Sequence, residues 1–141
     1  MRFKFAIPSY KRAEKQLTLK MLKDFGFERE DIILSTQTEE DYAAYKDRYD
    51  NDCIIVYKAG NSATDNRNTL LGYFHENDWI MMLDDDISGF YILKGEKLPS
   101  MTKGDGNDVM HLLEAMRTLS GARPGSAVVT DFCGRKLSLR L

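Results

Sequence analysis

The sequence predicts an α/β fold with a mainly parallel sheet and helices on both faces. Short apolar segments rich in β-branched residues alternate with segments whose apolar residues recur at helical spacing. This alternation, at the spacing observed here, is typical of crossover connections between parallel strands. The 141 residues, 43% of them hydrophobic, suffice for one domain with a core, and we expect a single domain over residues 1–141.

Four strands of the sheet are expected from the apolar segments. The first alternates, with Phe3 and Phe5 on one side, and ends at Pro8. The third reads CIIVYK and is apolar on successive residues, which indicates that both of its faces are covered. These strands are expected at residues 2–7, 31–36, 53–58 and 79–83.

Four helices are expected between and after these strands. Gly26 is placed to end the first helix. Thr38 with Asp41 resembles a capping box that opens the second, and Ser62 with Asp65 can cap the third. The helices are expected over residues 13–25, 38–49, 62–74 and 108–120.

The C-terminal part gives shorter elements and looks shortened for a fold of this class. Residues 89–98 predict a strand with a turn around Gly95. Residues 100–108 predict a mobile loop, and residues 126–134 a last short strand.

Composition excludes some classes of protein. The formal net charge of −2 provides no general basic field for a nucleic-acid backbone, although a local patch is still compatible with a nucleic-acid substrate. No apolar run approaches the roughly 18–20 residues of a membrane helix, so no membrane association is expected. Cys53 and Cys133 lie far apart without a CxxC pattern, which favours reduced thiols and a cytoplasmic location.

Three consecutive carboxylates, Asp84, Asp85 and Asp86, directly follow the fourth strand and are called the aspartate triplet below. Adjacent carboxylates repel one another, so either water or a positive group must offset their charge. In open α/β sheets, ligands bind beyond the carboxyl ends of the strands. Other polar segments at strand ends should meet the triplet there: residues 8–12, Thr36 and residues 59–68.

This arrangement predicts a site for a metal ion and a diphosphate. Closely spaced carboxylates suit Mg²⁺ or Mn²⁺, which proteins hold with one or two carboxylates while phosphate and water complete the shell. Lys11, Arg12 and Arg67 could contact phosphate or carboxylate. Asn66 and Asn68 carry amides that can read a base or a ribose.

Structural explanations compete with this interpretation. A run of aspartates is commonly a solvated loop or a helix N-terminus. Arg67 could instead pair with Asp65 or Glu76 on the surface of its helix. Three tyrosines at helical spacing favour packing over a platform for a sugar: Tyr42, Tyr45 and Tyr49.

Three segments, in this order, resemble the nucleotide-sugar half of a GT-A glycosyltransferase: FAIPSYKRAE, GNSATDNRNTLLGYF and WIMMLDDDI. The resemblance covers residues 2–92 and leaves residues 93–141 as a short acceptor-side remainder. It implies a GT-A, Rossmann-like fold and a metal-dependent transfer of sugar from a UDP-sugar to a hydroxyl acceptor. Mn²⁺ or Mg²⁺ would be the cofactor.

The same resemblance implies roles for individual residues. Asp86 would ligate the metal directly, Asp84 would contact the ribose or a metal-bound water, and Asp85 would lie nearer to the sugar. Asp65 departs from the Ala-Arg-Asn that such enzymes usually carry, so no role follows for it. The implied nucleotide-binding residues are Pro8, Ser9, Tyr10, Arg12, Thr36, Asn66, Arg67, Asp84 and Asp85.

The acceptor side is less well defined. The IPSYKR opening resembles phage-type transferases that glycosylate hydroxymethylated pyrimidines, which would make modified DNA the acceptor. Only 55 residues follow Asp86 in the 141-residue chain, and Asp131 is the one positional candidate for a catalytic base. A second copy of the chain, in a homo-oligomer, could supply the missing acceptor face.

Two alternatives stay open. A nucleotidyltransferase would show a glycine-rich loop after the first strand, and PSYKRAEK has no glycine. A truncated domain that binds a nucleotide-sugar without turnover is compatible with the short C-terminal part.

Overall fold

The computed structural model describes residues 3–75, 78–93, 101–119 and 138–139. The strands are β1 (Phe3–Pro8), β2 (Ile32–Thr36), β3 (Ile54–Tyr57), β4 (Trp79–Met82), β5 (Tyr91–Leu93), β6 (Met101–Lys103) and β7 (Ser138–Leu139). The α-helices are α1 (Leu17–Asp24), α2 (Glu39–Tyr49), α3 (Ala63–Leu71) and α4 (Gly106–Leu119).

The main sheet has four strands, all parallel, in the order β3-β2-β1-β4. In the centre of the sheet, Phe5 of β1 lies opposite Ile32 of β2 and Met81 of β4. A second sheet has the order β6-β5-β7, in which β5 pairs antiparallel with β6 and parallel with β7. The predicted α/β class with a mainly parallel sheet is therefore confirmed.

Helices cover both faces of the main sheet. Successive side chains of a strand point to opposite faces. Phe5 belongs to the larger core cluster, which contains Leu19 of α1, Tyr45 of α2 and Val109 of α4. Its neighbour Ala6 belongs to the second cluster, with Leu70 of α3. Both β1 residues are fully buried because the strand has a helix layer on each side.

The sheet begins at an aromatic contact. Trp79, the only tryptophan in the chain, opens β4 and packs against Phe3 of β1, with ring centroids 6.4 Å apart. Cys53 is buried and free, and burial raises the pKa of its thiol to about 12. Within the described ranges, no helix is long and apolar enough to cross a membrane.

The predicted continuous helix over residues 13–25 is wrong at its start. A 3₁₀ turn, Ala13–Lys15, comes first, and the extended Gln16 then caps α1 by accepting a hydrogen bond from Leu19 N–H at 3.5 Å. The helix starts late because Gln16, at ψ 102°, interrupts the helical backbone. The N–H of Leu17, which has no acceptor within the helix, bonds to the carbonyl of Asp85, 3.2 Å away. Gly26 ends this region at φ +87°, as predicted, since glycine adopts that conformation readily.

The loop predicted over residues 100–108 is also wrong. Met101–Lys103 forms β6 against β5, and α4 begins at Gly106 because Asp105 Oδ1 accepts the N–H groups of Asn107 and Asp108 at 2.9 and 3.0 Å. A Cβ atom at Gly106 would lie 2.4 Å from the carbonyl oxygen of Phe25, so the close approach of α4 to α1 requires glycine. The predicted turn at Gly95 and the predicted strand over residues 126–134 lie outside the described residues.

Candidate active site

The aspartate triplet lies beyond the end of β4 and faces two arginines. Arg12 Nη1 lies 3.3 Å from Asp85 Oδ1 and 3.2 Å from Asp86 Oδ2. Arg67 Nη2 lies 3.4 Å from Asp84 Oδ1. The guanidinium groups offset the repulsion among the three carboxylates. Arg67 therefore pairs across the site, and the alternative partner Asp65 is not the one observed; Glu76 lies outside the described residues.

The loop of residues 9–12, called the β1 loop below, connects β1 to the 3₁₀ turn and carries Arg12. Ser9 is buried, and its hydroxyl donates to Asp85 Oδ2 at 2.5 Å and lies 2.5 Å from the Tyr45 hydroxyl. Lys11 adopts φ +52°, a left-handed conformation that costs an ordinary residue about 1–2 kcal/mol. Asp41 Oδ2 accepts the Lys11 N–H at 2.8 Å and holds this conformation in place.

The contact from Asp41 also explains a difference from the predicted capping box. Thr38 Oγ1 accepts the Asp41 N–H at 3.1 Å, which is the predicted half. The Asp41 carboxylate is turned to the β1 loop, so its reciprocal capping bond is replaced by a bond to Lys11.

Tyr10, in the β1 loop, and Pro8, just before it, differ in how exposed their side chains are. Tyr10 is 50% exposed, and Lys11 Nζ lies 5.2 Å from the centroid of its ring. Pro8, the last residue of β1, is half-buried and lies opposite Ser35 of β2. The structure thus places an aromatic ring at the edge of the site and a proline behind it.

The start of α3 is built by a local cap. Ser62 Oγ accepts the Asp65 N–H at 3.1 Å, and Asp65 Oδ2 accepts the Asn61 N–H at 3.2 Å. A hydrogen bond with the Ser62 side chain, and a second from the Asn61 backbone, lower the pKa of Asp65. The cap predicted from Ser62 and Asp65 is therefore confirmed, although the resemblance itself implied no role for Asp65.

Asn66 and Thr36 lie deeper than the resemblance implies. The buried Asn66 donates through Nδ2 to the Ser9 carbonyl at 3.0 Å and accepts through Oδ1 from the Ser35 hydroxyl. Both ends of its amide therefore bind the ends of β1 and β2. Thr36 is fully buried at the end of β2, and its hydroxyl has no hydrogen-bond partner among the described residues.

Sequence reasoning missed three residues of α1 and α2 whose side chains hold the aspartate triplet and the β1 loop in place. Thr18 of α1 donates its hydroxyl to the Asp84 carbonyl at 2.5 Å and accepts the Ile87 N–H at 2.9 Å. Asp41 and Tyr45 support the β1 loop from α2. The four-residue spacing of Asp41 and Tyr45 on one helix face was a usable signal, whereas nothing in the sequence around Thr18 indicates its role.

The carboxylates of the aspartate triplet are suited to a metal ion whose other ligands are phosphate and water, and less suited to a site made only of protein ligands. In the part of the chain that the structure describes, no three His, Cys, Asp or Glu side chains are arranged to hold an ion. Asp84 and Asp86 are nevertheless hard oxygen donors at the edge of the site, each facing a guanidinium. One or two such carboxylates are the usual protein share of a Mg²⁺ shell. Asp131, the expected base candidate, lies outside the described residues.

A family model described as TET-associated glycosyltransferase matches residues 3–129. The matched range contains the aspartate triplet, Arg12, Arg67 and every described helix and strand except β7. No curated protein and no solved structure gives a significant match. The chain therefore belongs to the TET-associated glycosyltransferase family and is a glycosyltransferase.

Proposed function

We propose that the chain transfers a sugar from a UDP-sugar to a hydroxyl group of a modified base in DNA, assisted by Mg²⁺ or Mn²⁺. The observation that carries the donor side is the placement of Arg12 and Arg67 on either side of the aspartate triplet. The acceptor rests on the family and on the resemblance of IPSYKR to transferases that act on hydroxymethylated pyrimidines.

The arginines suit a diphosphate because their present partners are exchangeable. The side chains of Arg12 and Asp86 are 47% and 45% exposed, and an ion pair in that setting contributes at most about 1 kcal/mol. A diphosphate offers both guanidinium groups a stronger, bidentate partner. Arg12 would turn from Asp86 to a phosphate oxygen, and Asp86 would then have an oxygen free for a cation.

The other residues bind and orient the donor. Asp86 and Asp84 would hold the cation, whose charge would neutralise the diphosphate as it leaves the sugar. Arg67 would bind the phosphates from the α3 side, opposite Arg12. Tyr10 is the exposed ring available to stack on the uracil, with Pro8 as the adjoining wall.

Calorimetry with UDP tests the donor site. We expect UDP to bind in the presence of MnCl₂ and to lose about tenfold or more in affinity when the metal is chelated, because the carboxylates then repel the phosphates. Asp86→Asn should cause a comparable loss. Asp52→Asn is the matched control, since Asp52 pairs with Lys23 outside the site.

Three outcomes would contradict this assignment of the donor. Equal affinity for UDP with and without metal would remove the cation from the site. A response to nucleoside triphosphates in place of UDP would favour the nucleotidyltransferase. Transfer is measured by mass spectrometry of an oligonucleotide containing 5-hydroxymethylcytosine after incubation with UDP-glucose. If the protein binds UDP but the oligonucleotide gains no hexose, this donor and acceptor pair is rejected.

A further inference from the structure

Helix α2 lies behind the β1 loop and holds it with two side chains. Asp41 accepts the Lys11 N–H at 2.8 Å, and the Tyr45 hydroxyl lies 2.5 Å from Ser9 Oγ. Residues four apart lie on the same face of a helix, so one face of α2 makes both contacts. The contact from Tyr45 is the more deeply buried, because Tyr45 is 0% exposed and Ser9 2% exposed.

The direction of the hydrogen bonds is fixed by the number of protons. A serine hydroxyl has one proton, and Ser9 donates it to Asp85 Oδ2, a carboxylate oxygen that can only accept. The Tyr45 hydroxyl must therefore be the donor in its bond to Ser9. Burial raises the pKa of Tyr45 to about 12, so the phenol retains its proton at neutral pH. The chain of bonds runs from Tyr45 through Ser9 to Asp85.

This chain continues to the surface of the site. The second oxygen of Asp85 lies 3.3 Å from Arg12 Nη1, and the same nitrogen lies 3.2 Å from Asp86 Oδ2. Four contacts thus connect a fully buried phenol on α2 with the exposed carboxylate at the end of the aspartate triplet. Buried hydrogen-bond networks of this kind fix one orientation of their members.

We propose that Tyr45 is a positioning residue for glycosyl transfer: through Ser9 it orients Asp85 and Arg12, and so fixes where Arg12 meets the donor. The proposal rests on the proposed function for the identity of the donor. Tyr45 does not touch the substrate in this role. Without its hydroxyl, the Ser9 side chain has no donor behind it and is free to rotate away from Asp85.

The matched pair of variants is Tyr45→Phe and Tyr49→Phe. Each removes one hydroxyl from α2, and the Tyr49 hydroxyl donates instead to the Ala13 carbonyl at 2.7 Å. We expect both to lower the melting temperature, since Tyr45→Phe loses a buried hydrogen bond and Tyr49→Phe a partly buried one. Only Tyr45→Phe should weaken UDP binding in MnCl₂, by about two- to tenfold. Equal effects of the two variants on UDP affinity would overturn the proposal.

A double-mutant cycle shows whether Tyr45 acts through Ser9. Ser9→Ala should weaken UDP binding by at least as much as Tyr45→Phe, and the double variant should be no weaker than Ser9→Ala alone. If the two fold-changes multiply, Tyr45 acts by another route and the proposal fails. If Tyr45→Phe does not fold, Ser9→Ala interrupts the chain outside α2, and unchanged UDP affinity in that variant overturns the proposal.

An amide spectrum separates this proposal from the identity of the donor. If the wild-type protein binds no UDP, the donor assignment fails, but the ¹⁵N–¹H resonances of residues 84–87 still report the orientation of the aspartate triplet. Tyr45→Phe should shift them and Tyr49→Phe should not. Unchanged resonances in Tyr45→Phe would overturn the positioning role.

Discussion

The two arginines reach the aspartate triplet from different kinds of structure. Arg12 belongs to the β1 loop, follows a residue at φ +52°, and spans Asp85 and Asp86. Arg67 belongs to α3, whose backbone is held by helical hydrogen bonds, and among the described residues it lies against the carboxylate of Asp84. The position of the Arg12 guanidinium therefore depends on the side chains that hold the β1 loop. The position of the Arg67 guanidinium depends on how α3 is attached to the sheet. These are called the Arg12 side and the Arg67 side of the site below.

On the Arg67 side, the buried Asn66 attaches α3 to the ends of β1 and β2, and breaking this attachment should give the largest effect. Asn66→Ala removes the side-chain hydrogen bonds to the Ser9 carbonyl and the Ser35 hydroxyl and takes from the buried Ser9 carbonyl its amide partner. We expect a loss of about 2–4 kcal/mol in the free energy of unfolding, measured by denaturant titration. Asn68→Ala, at an exposed position of the same helix, should change it by less than about 0.5 kcal/mol. Equal effects would show that Asn66 does not fix α3.

Truncating the arginines compares the two sides directly. Arg12→Ala should weaken UDP binding by about tenfold or more, because Arg12, while oriented by Asp85, would turn from Asp86 to a phosphate oxygen. Arg67→Ala should weaken it less, and both should change the melting temperature little, since both side chains are at least a third exposed. Arg48→Ala, which removes a surface pair with Glu14, is the control. A collapse of the melting temperature in Arg67→Ala would make Arg67 structural.

The smallest effect is expected from relaxing the β1 loop itself. Lys11→Gly removes the cost of the left-handed conformation but adds backbone freedom, for a net stabilisation of about 0.5 kcal/mol. The same freedom should weaken UDP binding slightly, since the loop is less ordered before binding. Lys15→Gly, in the 3₁₀ turn, should only destabilise. Tighter UDP binding by Lys11→Gly would mean that the strained loop opposes the donor.

The main features of the site could be predicted because they follow from strand ends. Apolar periodicity places β1, β2, β3 and β4, and the polar residues after each strand then meet at one edge. The aspartate triplet and Arg12 were predicted in this way, and they do lie together. The direction of each side chain could not be predicted, because it depends on partners distant in sequence.

Asn66 and Arg67 illustrate the difference. They are adjacent in the sequence, and both were expected to face the nucleotide from the start of α3. The helix turns Asn66 inward, to Ser9 and Ser35, and Arg67 outward, to Asp84. The strand β6 was missed for a similar reason: its three residues have little intrinsic preference, and pairing with β5 decides their structure.

The position of Trp79 has a practical consequence for spectroscopy. The indole lies at the amino end of β4, next to Phe3, whereas Asp84 lies five residues further along the chain, about 16 Å away in an extended strand. As the only indole, it makes the intrinsic fluorescence a single-site signal. Its emission reports the pairing of β1 with β4 at the end of the sheet opposite the aspartate triplet, so in titrations with UDP it can serve as an internal reference for unfolding.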